Sequence, residues 1–416
     1  MERYIPRLVD ELLAQYLKEL PAVMLIGPRA SGKTTTAAKH AQSIARLDSD
    51  HSAAFAASPD AALSGRAEPV LLDEWQGAPE VLGAVKRAVD ADRRPGRYLI
   101  TGSARTATVD HYWPGTGRIV ILRMYPLTVA EQLQQPVRPF IDRVVDGDLV
   151  SAAAAPALDL RDYLQLAMRG GFPEPALELG ETTGRAWLES YAEQVAMRDA
   201  RSYGGAPDYV RLLRYLEAYA INSSCTVHQQ TLYDAAGVNR KTALAYEALL
   251  RDLQVVDELP AWSTNRLKRL SRTPKRYVID SGLLAGILRV GTDDVLGSGT
   301  LLGNVIDTFV VAQLRAETLT ARTRYRLSHL RDSNGRREVD VIAELGGGRT
   351  VGIEIKSASR VSQSDARHLL WLRDSMGDRF AAGVVLHTGP DTFELADRIT
   401  AAPISALWAH SGQPET

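Results

Sequence analysis

The sequence predicts an α/β protein of several domains, built on an N-terminal parallel sheet with a phosphate-binding loop. Three observations carry this. Five short apolar runs, Ala22 to Ile26, Ile44 to Leu47, Val70 to Leu72, Tyr98 to Ile100 and Ile119 to Leu122, alternate with amphipathic stretches. That is the rhythm of buried strands joined by crossover helices. A glycine-containing octapeptide stands directly after the first run. The chain, at 416 residues, also exceeds what one ordinary core organises, so further domains are expected.

The octapeptide is Gly27-Pro28-Arg29-Ala30-Ser31-Gly32-Lys33-Thr34, continued by Thr35. It is a complete Walker A pattern in strand–loop–helix context. Glycines let backbone N–H groups close on phosphate without a Cβ in the way, and the helix N-terminus adds a dipole that favours the anion. ATP and Mg²⁺ are the expected ligands, with Lys33 on the β- and γ-phosphates and the Thr34 hydroxyl on the metal.

Val70 to Glu74 ends an apolar strand on two adjacent acids. Asp73 is expected in the Mg²⁺ shell and Glu74 beside the attacking water. The run from Tyr98 ends in Thr101-Gly102-Ser103, where either hydroxyl can sense the γ-phosphate if the segment is more than an ordinary turn. Arg118, after Gly117, reads either as an arginine finger completing a neighbouring subunit's site or as a surface charge.

Four domains are expected. Residues 1–135 form the nucleotide core, 136–205 a connector and helical lid, 206–290 a winged helix, and 291–416 a second α/β domain. In the third, Gly237 separates Thr231 to Ala236 from Arg240 to Leu253, the layout of a helix-turn-helix. Val255 to Leu259 and Arg276 to Ile279 suit the two strands of a wing. Arg240 and Lys241 open the second helix, and Arg266, Lys268, Arg269, Arg272, Lys275 and Arg276 crowd the wing. These cations suit phosphate contacts with DNA, although a charge run also suits a solvated face.

In the last domain, Glu338-Val-Asp340 is followed by Gly352-Ile-Glu354-Ile-Lys356. Strand alternation puts Glu354 and Lys356 on one face. If the strand of Asp340 lies alongside, Asp340 and Glu354 can share Mg²⁺ or Mn²⁺, with Lys356 steadying water or a scissile phosphate. The alternative is that Glu354 and Lys356 only pair with each other on an exposed strand.

Composition constrains the setting. Net charge is −1, so no global basic field announces nucleic acid. Cys225 is the only cysteine, which rules out an intrachain disulfide and fits a reducing compartment. No apolar run is long enough to span a bilayer. The expectation is cytoplasmic, with no membrane partner.

Gly27-Pro-Arg with Gly-Lys-Thr-Thr, Leu-Asp73-Glu74-Trp-Gln, Thr101-Gly-Ser, Gly117-Arg118 before Pro126-Leu-Thr and Glu131, Gly170-Gly-Phe-Pro-Glu, Arg198-Asp199 and Asp280-Ser-Gly-Leu cover nearly the whole chain. Together they resemble a large prokaryotic family of AAA-type ATPases with a C-terminal domain of largely unknown function. The resemblance implies a lid in which Gly171 and Pro173 contact the nucleotide, with Arg169 or Arg198 as a phosphate sensor. It also implies a nuclease-like C-terminal domain of the PD-(D/E)xK type, with Asp307 as a further acidic ligand where that superfamily usually has a longer Glu. The expected activity is ATP hydrolysis by a homo-oligomer acting on DNA, branched DNA included. The alternatives are a nucleotide-switch regulator of protein partners and an ATP-gated, metal-dependent nuclease.

Overall fold

The computed structural model describes residues 4–48, 51–103, 115–149, 158–199, 208–270, 272–332 and 335–409. The side chains of Arg198, Asp199, Arg266 and Lys268 lie outside the described set. The chain divides into two compact units, Met1–Pro126 with Glu247–Val255, and Leu127–Tyr246 with Val256–Thr416.

The first unit holds β1 (Ala22–Ile26), β2 (Ser43–Arg46), β3 (Val70–Asp73), β4 (Tyr98–Gly102) and β5 (Val120–Arg123). They form one sheet in the order β2-β3-β4-β1-β5, and every pairing is parallel. All five positions of β1 are buried, which is why that strand reads as an uninterrupted apolar run rather than an alternating one. The edge strand β2 leaves Ile44 39% exposed. Because β4 lies between β1 and β3, the ends of the Walker A, Thr101 and Asp73 strands stand side by side, as an N-terminal P-loop α/β domain requires.

The second unit opens with the short helices Val129–Gln132 and Phe140–Val145, followed by Leu160–Arg169, Pro173–Leu177 and Glu181–Gln194. The helices Tyr209–Ile221 and Gln229–Ala236 follow, the latter ending on Gly237 at φ 64°, a left-handed turn that suits glycine. The next helix, Arg240–Asp252, passes into the residues assigned to the first unit from Glu247 onward. Two strands, β6 (Val256–Leu259) and β7 (Lys275–Val278), then pair antiparallel.

The C-terminal sheet contains β8 (Tyr325–Arg331), β9 (Glu338–Leu345), β10 (Thr350–Ile355), β11 (Phe380–His387), β12 (Phe393–Ala396) and β13 (Ile399–Pro403). Their order is β12-β13-β11-β10-β9-β8. Strand β10 runs antiparallel to β9 and parallel to β11. Helices Gly299–Glu317 and Arg367–Met376 both pack on β10, whose six residues are all buried. A Cβ at Gly352 would meet a side-chain methyl of Leu369 at 2.7 Å, so a larger residue there would have to push that side chain aside. Strands β12 and β13 extend the sheet beyond the last apolar run legible in the sequence. Among the described residues no helix is long and apolar enough to cross a membrane.

Candidate functional site

The phosphate loop begins where β1 ends. A Cβ at Gly27 would stand 2.4 Å from the Met124 carbonyl, so no other residue fits there. Ala30 (φ 56°) and Gly32 (φ 92°) take left-handed conformations that bend the loop back on the helix starting at Lys33. Arg7, which sequence reasoning passed over, anchors the loop from behind. Its guanidinium donates to the carbonyls of Ser31 (2.8 Å) and Tyr125 (2.7 Å). The Ser31 hydroxyl is buried without a hydrogen-bond partner.

Lys33 is 4% exposed, and its ammonium donates to the Pro28 carbonyl at 2.8 Å. Burial pushes its pKa down to about 8, although Glu74 and Asp73 oppose the shift. A phosphate in the loop supplies the counter-charge that burial withholds. Asp73 Oδ1 accepts from Thr34 Oγ1 (2.8 Å) and from Thr101 Oγ1 (2.5 Å). Thr34 and Asp73 are therefore already paired, as a shared Mg²⁺ would need them to be.

Glu74 adopts a left-handed backbone conformation, φ 52°, immediately after β3. Its backbone N–H lies 3.4 Å from Thr101 Oγ1. Burial raises its carboxyl pKa, with Lys33 opposing, which favours a proton-accepting role near neutral pH. Ser103 is buried and accepts from Gln76 Nε2 (3.2 Å), so the hydroxyl that reaches Asp73 is that of Thr101.

Arg118 pairs with Asp90 at 2.8 Å on the partly exposed surface of its own unit. Thr35 and Arg29 are exposed. Gly171 and Pro173 belong to the second unit. Both backbone polar groups of Gly171 are engaged there: its N–H donates to Asp280 Oδ2 (2.8 Å) and its carbonyl accepts from Leu127 N (2.6 Å). Asp280 also accepts from Leu283 N, capping the helix Ser281–Leu288.

The second unit gathers a different cluster. Asp307 comes from Gly299–Glu317, Asp340 from β9, Glu354 from β10, and Lys356 follows β10. Lys356 Nζ donates to Glu354 Oε2 at 2.9 Å. Asp340 Oδ2 accepts from Ile355 N (3.1 Å), so Asp340 lies against the strand carrying Glu354. Glu354 is 4% exposed and its Oε1 has no hydrogen-bond partner, with His368 Nδ1 3.7 Å away. The exposed-strand alternative is thereby corrected for Glu354, whose carboxylate is buried, while Lys356 remains partly exposed.

The larger correction concerns Lys275. The sequence groups it with a basic run facing solvent, yet it is 2% exposed, with Nζ 2.9 Å from Asp340 Oδ1 and 3.6 Å from Glu338 Oε1. Burial opposes its charge, but Asp340, Tyr277, Asp307 and Glu338 together outweigh burial and raise its pKa well above the ordinary lysine value. Burial likewise raises the Asp340 pKa, and Lys275 with Lys356 more than reverses the effect. Asp307 is pushed well up by burial and then by Asp340.

The expected three-acid metal centre of Asp307, Asp340 and Glu354 does not fit this arrangement. Asp340 and Glu354 each carry an ammonium at 2.9 Å, which occupies an oxygen that a metal would need. Among the described residues no three His, Cys, Asp or Glu side chains form a metal-holding group.

Other members of the basic run are engaged too. Arg276 is buried and donates to the Val227 carbonyl (2.7 Å). Arg269 forms a bidentate pair with Glu344 (2.6 and 2.9 Å). Arg240 and Lys241 are exposed.

Comparison with known proteins supports an AAA-type domain in the N-terminal part of the chain and leaves the rest open. Residues 160–294 match a domain of unknown function, DUF8612, and residues 302–407 another, DUF4143. Two mycobacterial relatives, the uncharacterized proteins Rv2008c of Mycobacterium tuberculosis and Mb2031c of Mycobacterium bovis, are each 28% identical over 401 residues. The match covers 95% of this chain and 82% of theirs. Residues 19–133 match the AAA domain. The chain carries an AAA-type ATPase domain at its N-terminus and a DUF4143 domain at its C-terminus.

Proposed function

We propose that the protein hydrolyses ATP with Mg²⁺ at the loop Gly27–Thr34 and couples that turnover to DNA as a homo-oligomer. The observation that carries the ATPase reading is the convergence of Lys33, Thr34, Asp73, Glu74 and Thr101 at adjoining strand ends. Lys33 and the loop N–H groups bind phosphate, Thr34 and Asp73 hold the metal, and Glu74 takes the proton of the attacking water. Mg²⁺ supplies neutralisation of charge on the phosphates. Arg118 acts in trans on a neighbouring subunit's nucleotide.

For the second unit we read the helices Tyr209–Ile221, Gln229–Ala236 and Arg240–Asp252 with the β6–β7 hairpin as a winged helix. The sheet from β8 to β13, with its flanking helices, reads as nuclease-like. DNA contact then rests on Arg240 and Lys241 at the start of the third helix, with Arg266 and Lys268 in the hairpin connection. The engagement of Arg269, Lys275 and Arg276 inside the protein thins the basic run. That favours, as a second reading, a nucleotide switch that binds protein partners. ATP turnover with and without single-stranded, duplex and four-way DNA, at two salt concentrations, separates them. Salt-sensitive stimulation supports the DNA reading; rates unmoved by every DNA support the switch.

A further inference from the structure

We propose that Lys275 is the resident cation of the C-terminal carboxylate cluster, holding against Asp340 and Glu338 the place a nuclease-like fold would give to a divalent ion. The native chain therefore takes up no metal there. The inference rests on the nuclease-like reading of the fold, which makes a metal at Asp340 and Glu354 the expectation to be tested.

Three of the four carboxylate oxygens on Asp340 and Glu354 are in use. Asp340 Oδ1 is bonded to Lys275 and Oδ2 to Ile355 N, while Glu354 Oε2 is bonded to Lys356. Mg²⁺ needs near-octahedral oxygen ligands at about 2.0–2.1 Å and gives up its waters reluctantly. To reach Asp340 it would have to displace an ammonium that is itself buried, and it would stay beside the ammonium of Lys356. Two like-charged neighbours in a low-dielectric pocket oppose a third cation strongly.

Lys275 is the first residue of β7, fixed by pairing with Leu259 of β6. Its backbone position is thus set by a hairpin outside the C-terminal sheet. An ammonium neutralises the carboxylates as a divalent ion would. It cannot polarise a water or a phosphodiester as a Lewis acid does. The cluster so built joins hairpin to sheet and is not a hydrolytic centre. Glu354 Oε1, buried beside it without a hydrogen bond and 3.7 Å from His368 Nδ1, is the one carboxylate oxygen left over.

The test uses the full chain, free of nucleotide, in an Asp73→Asn background so that the P-loop contributes no metal site. Mn²⁺ binding is followed by electron paramagnetic resonance, and the thermal midpoint is read with and without Mn²⁺ or EDTA. The parent should bind no Mn²⁺ tightly and ignore EDTA. Lys275→Met should lower the midpoint by leaving Asp340 buried and unpaired. It should also gain Mn²⁺ affinity by about tenfold or more, the scale on which groups around a metal site act, with the midpoint recovering as the ion binds. Lys275→Met with Asp340→Asn should recover the midpoint without metal and lose the gained binding.

Tight Mn²⁺ binding by the parent would overturn the proposal while leaving the nuclease-like reading intact. A folded Lys275→Met chain that gains no Mn²⁺ would overturn both. If Lys275→Met alone does not fold, the parent and the double variant still decide. A double variant that folds no better than the single one counts against Lys275 acting as the counter-ion of Asp340.

Discussion

Thr101 Oγ1 donates a 2.5 Å hydrogen bond to Asp73 Oδ1, tying together the ends of two neighbouring parallel strands. The same oxygen accepts from Thr34 at 2.8 Å. The carboxylate is thus aimed from both sides before any nucleotide arrives. Thr101→Val keeps the shape and removes the donor. It should slow ATP turnover by about tenfold, the scale of one lost hydrogen bond to a charged group, while nucleotide affinity changes little. A wild-type kcat would show that Thr34 alone orients Asp73.

The two halves of the site should separate cleanly. Lys33→Ala removes the buried ammonium of the loop and should weaken nucleotide binding. Glu74→Gln keeps the side-chain volume and removes the proton acceptor, so binding should persist while hydrolysis stops. Equilibrium binding of a fluorescent ATP analogue, measured beside phosphate release, distinguishes the variants. Hydrolysis by Glu74→Gln at the wild-type rate would dismiss Glu74 as the group acting on water.

Legibility in the sequence tracked the range of the forces involved. The parallel sheet was readable because β1, β3 and β4 are buried on both faces and so appear as unbroken apolar runs. The phosphate loop was readable because its glycines and Lys33 act within eight consecutive residues. Arg7 and Lys275 were not, since each acts on partners far along the chain: Arg7 on Ser31 and Tyr125, Lys275 on Asp340, 65 residues away. Of eight lysines, Lys33 and Lys356 stood out by motif, whereas Lys275 was hidden among arginines. Strand alternation could not have singled it out, because all four positions of β7 are buried. Strand β12 was missed because its four residues are all at least partly exposed.

Arg118 is expected to work in trans. In its own chain it pairs with Asp90, an exposed contact of the kind that contributes about 0–1 kcal/mol and is readily given up. Mixing Arg118→Ala with Lys33→Ala subunits, each inactive alone, should restore part of the turnover, because some mixed interfaces unite an intact loop with an intact arginine. Full activity of Arg118→Ala, or of a monomer at working concentration, would leave Arg118 as a surface charge.

Glu317 gives the second unit a pH dependence of stability. Its Oε2 accepts from Phe140 N at 2.8 Å, and burial pushes its pKa up to about 8; Arg143 opposes the shift and Asp142 adds to it. The folded-state pKa lies above the ordinary value of 4.5. The native state therefore binds this proton more tightly than the unfolded chain does. That contribution to stability is fully present below pH 4.5 and disappears as pH rises through about 8. Glu317→Gln retains an oxygen for Phe140 N and carries no charge, so it should flatten this decline. Denaturant melts at pH 6 and pH 9 should show the wild type losing on the order of 1–3 kcal/mol more than the variant over that interval. Parallel losses in the two proteins would mean that Glu317 is already ionised at pH 6, held so by Arg143.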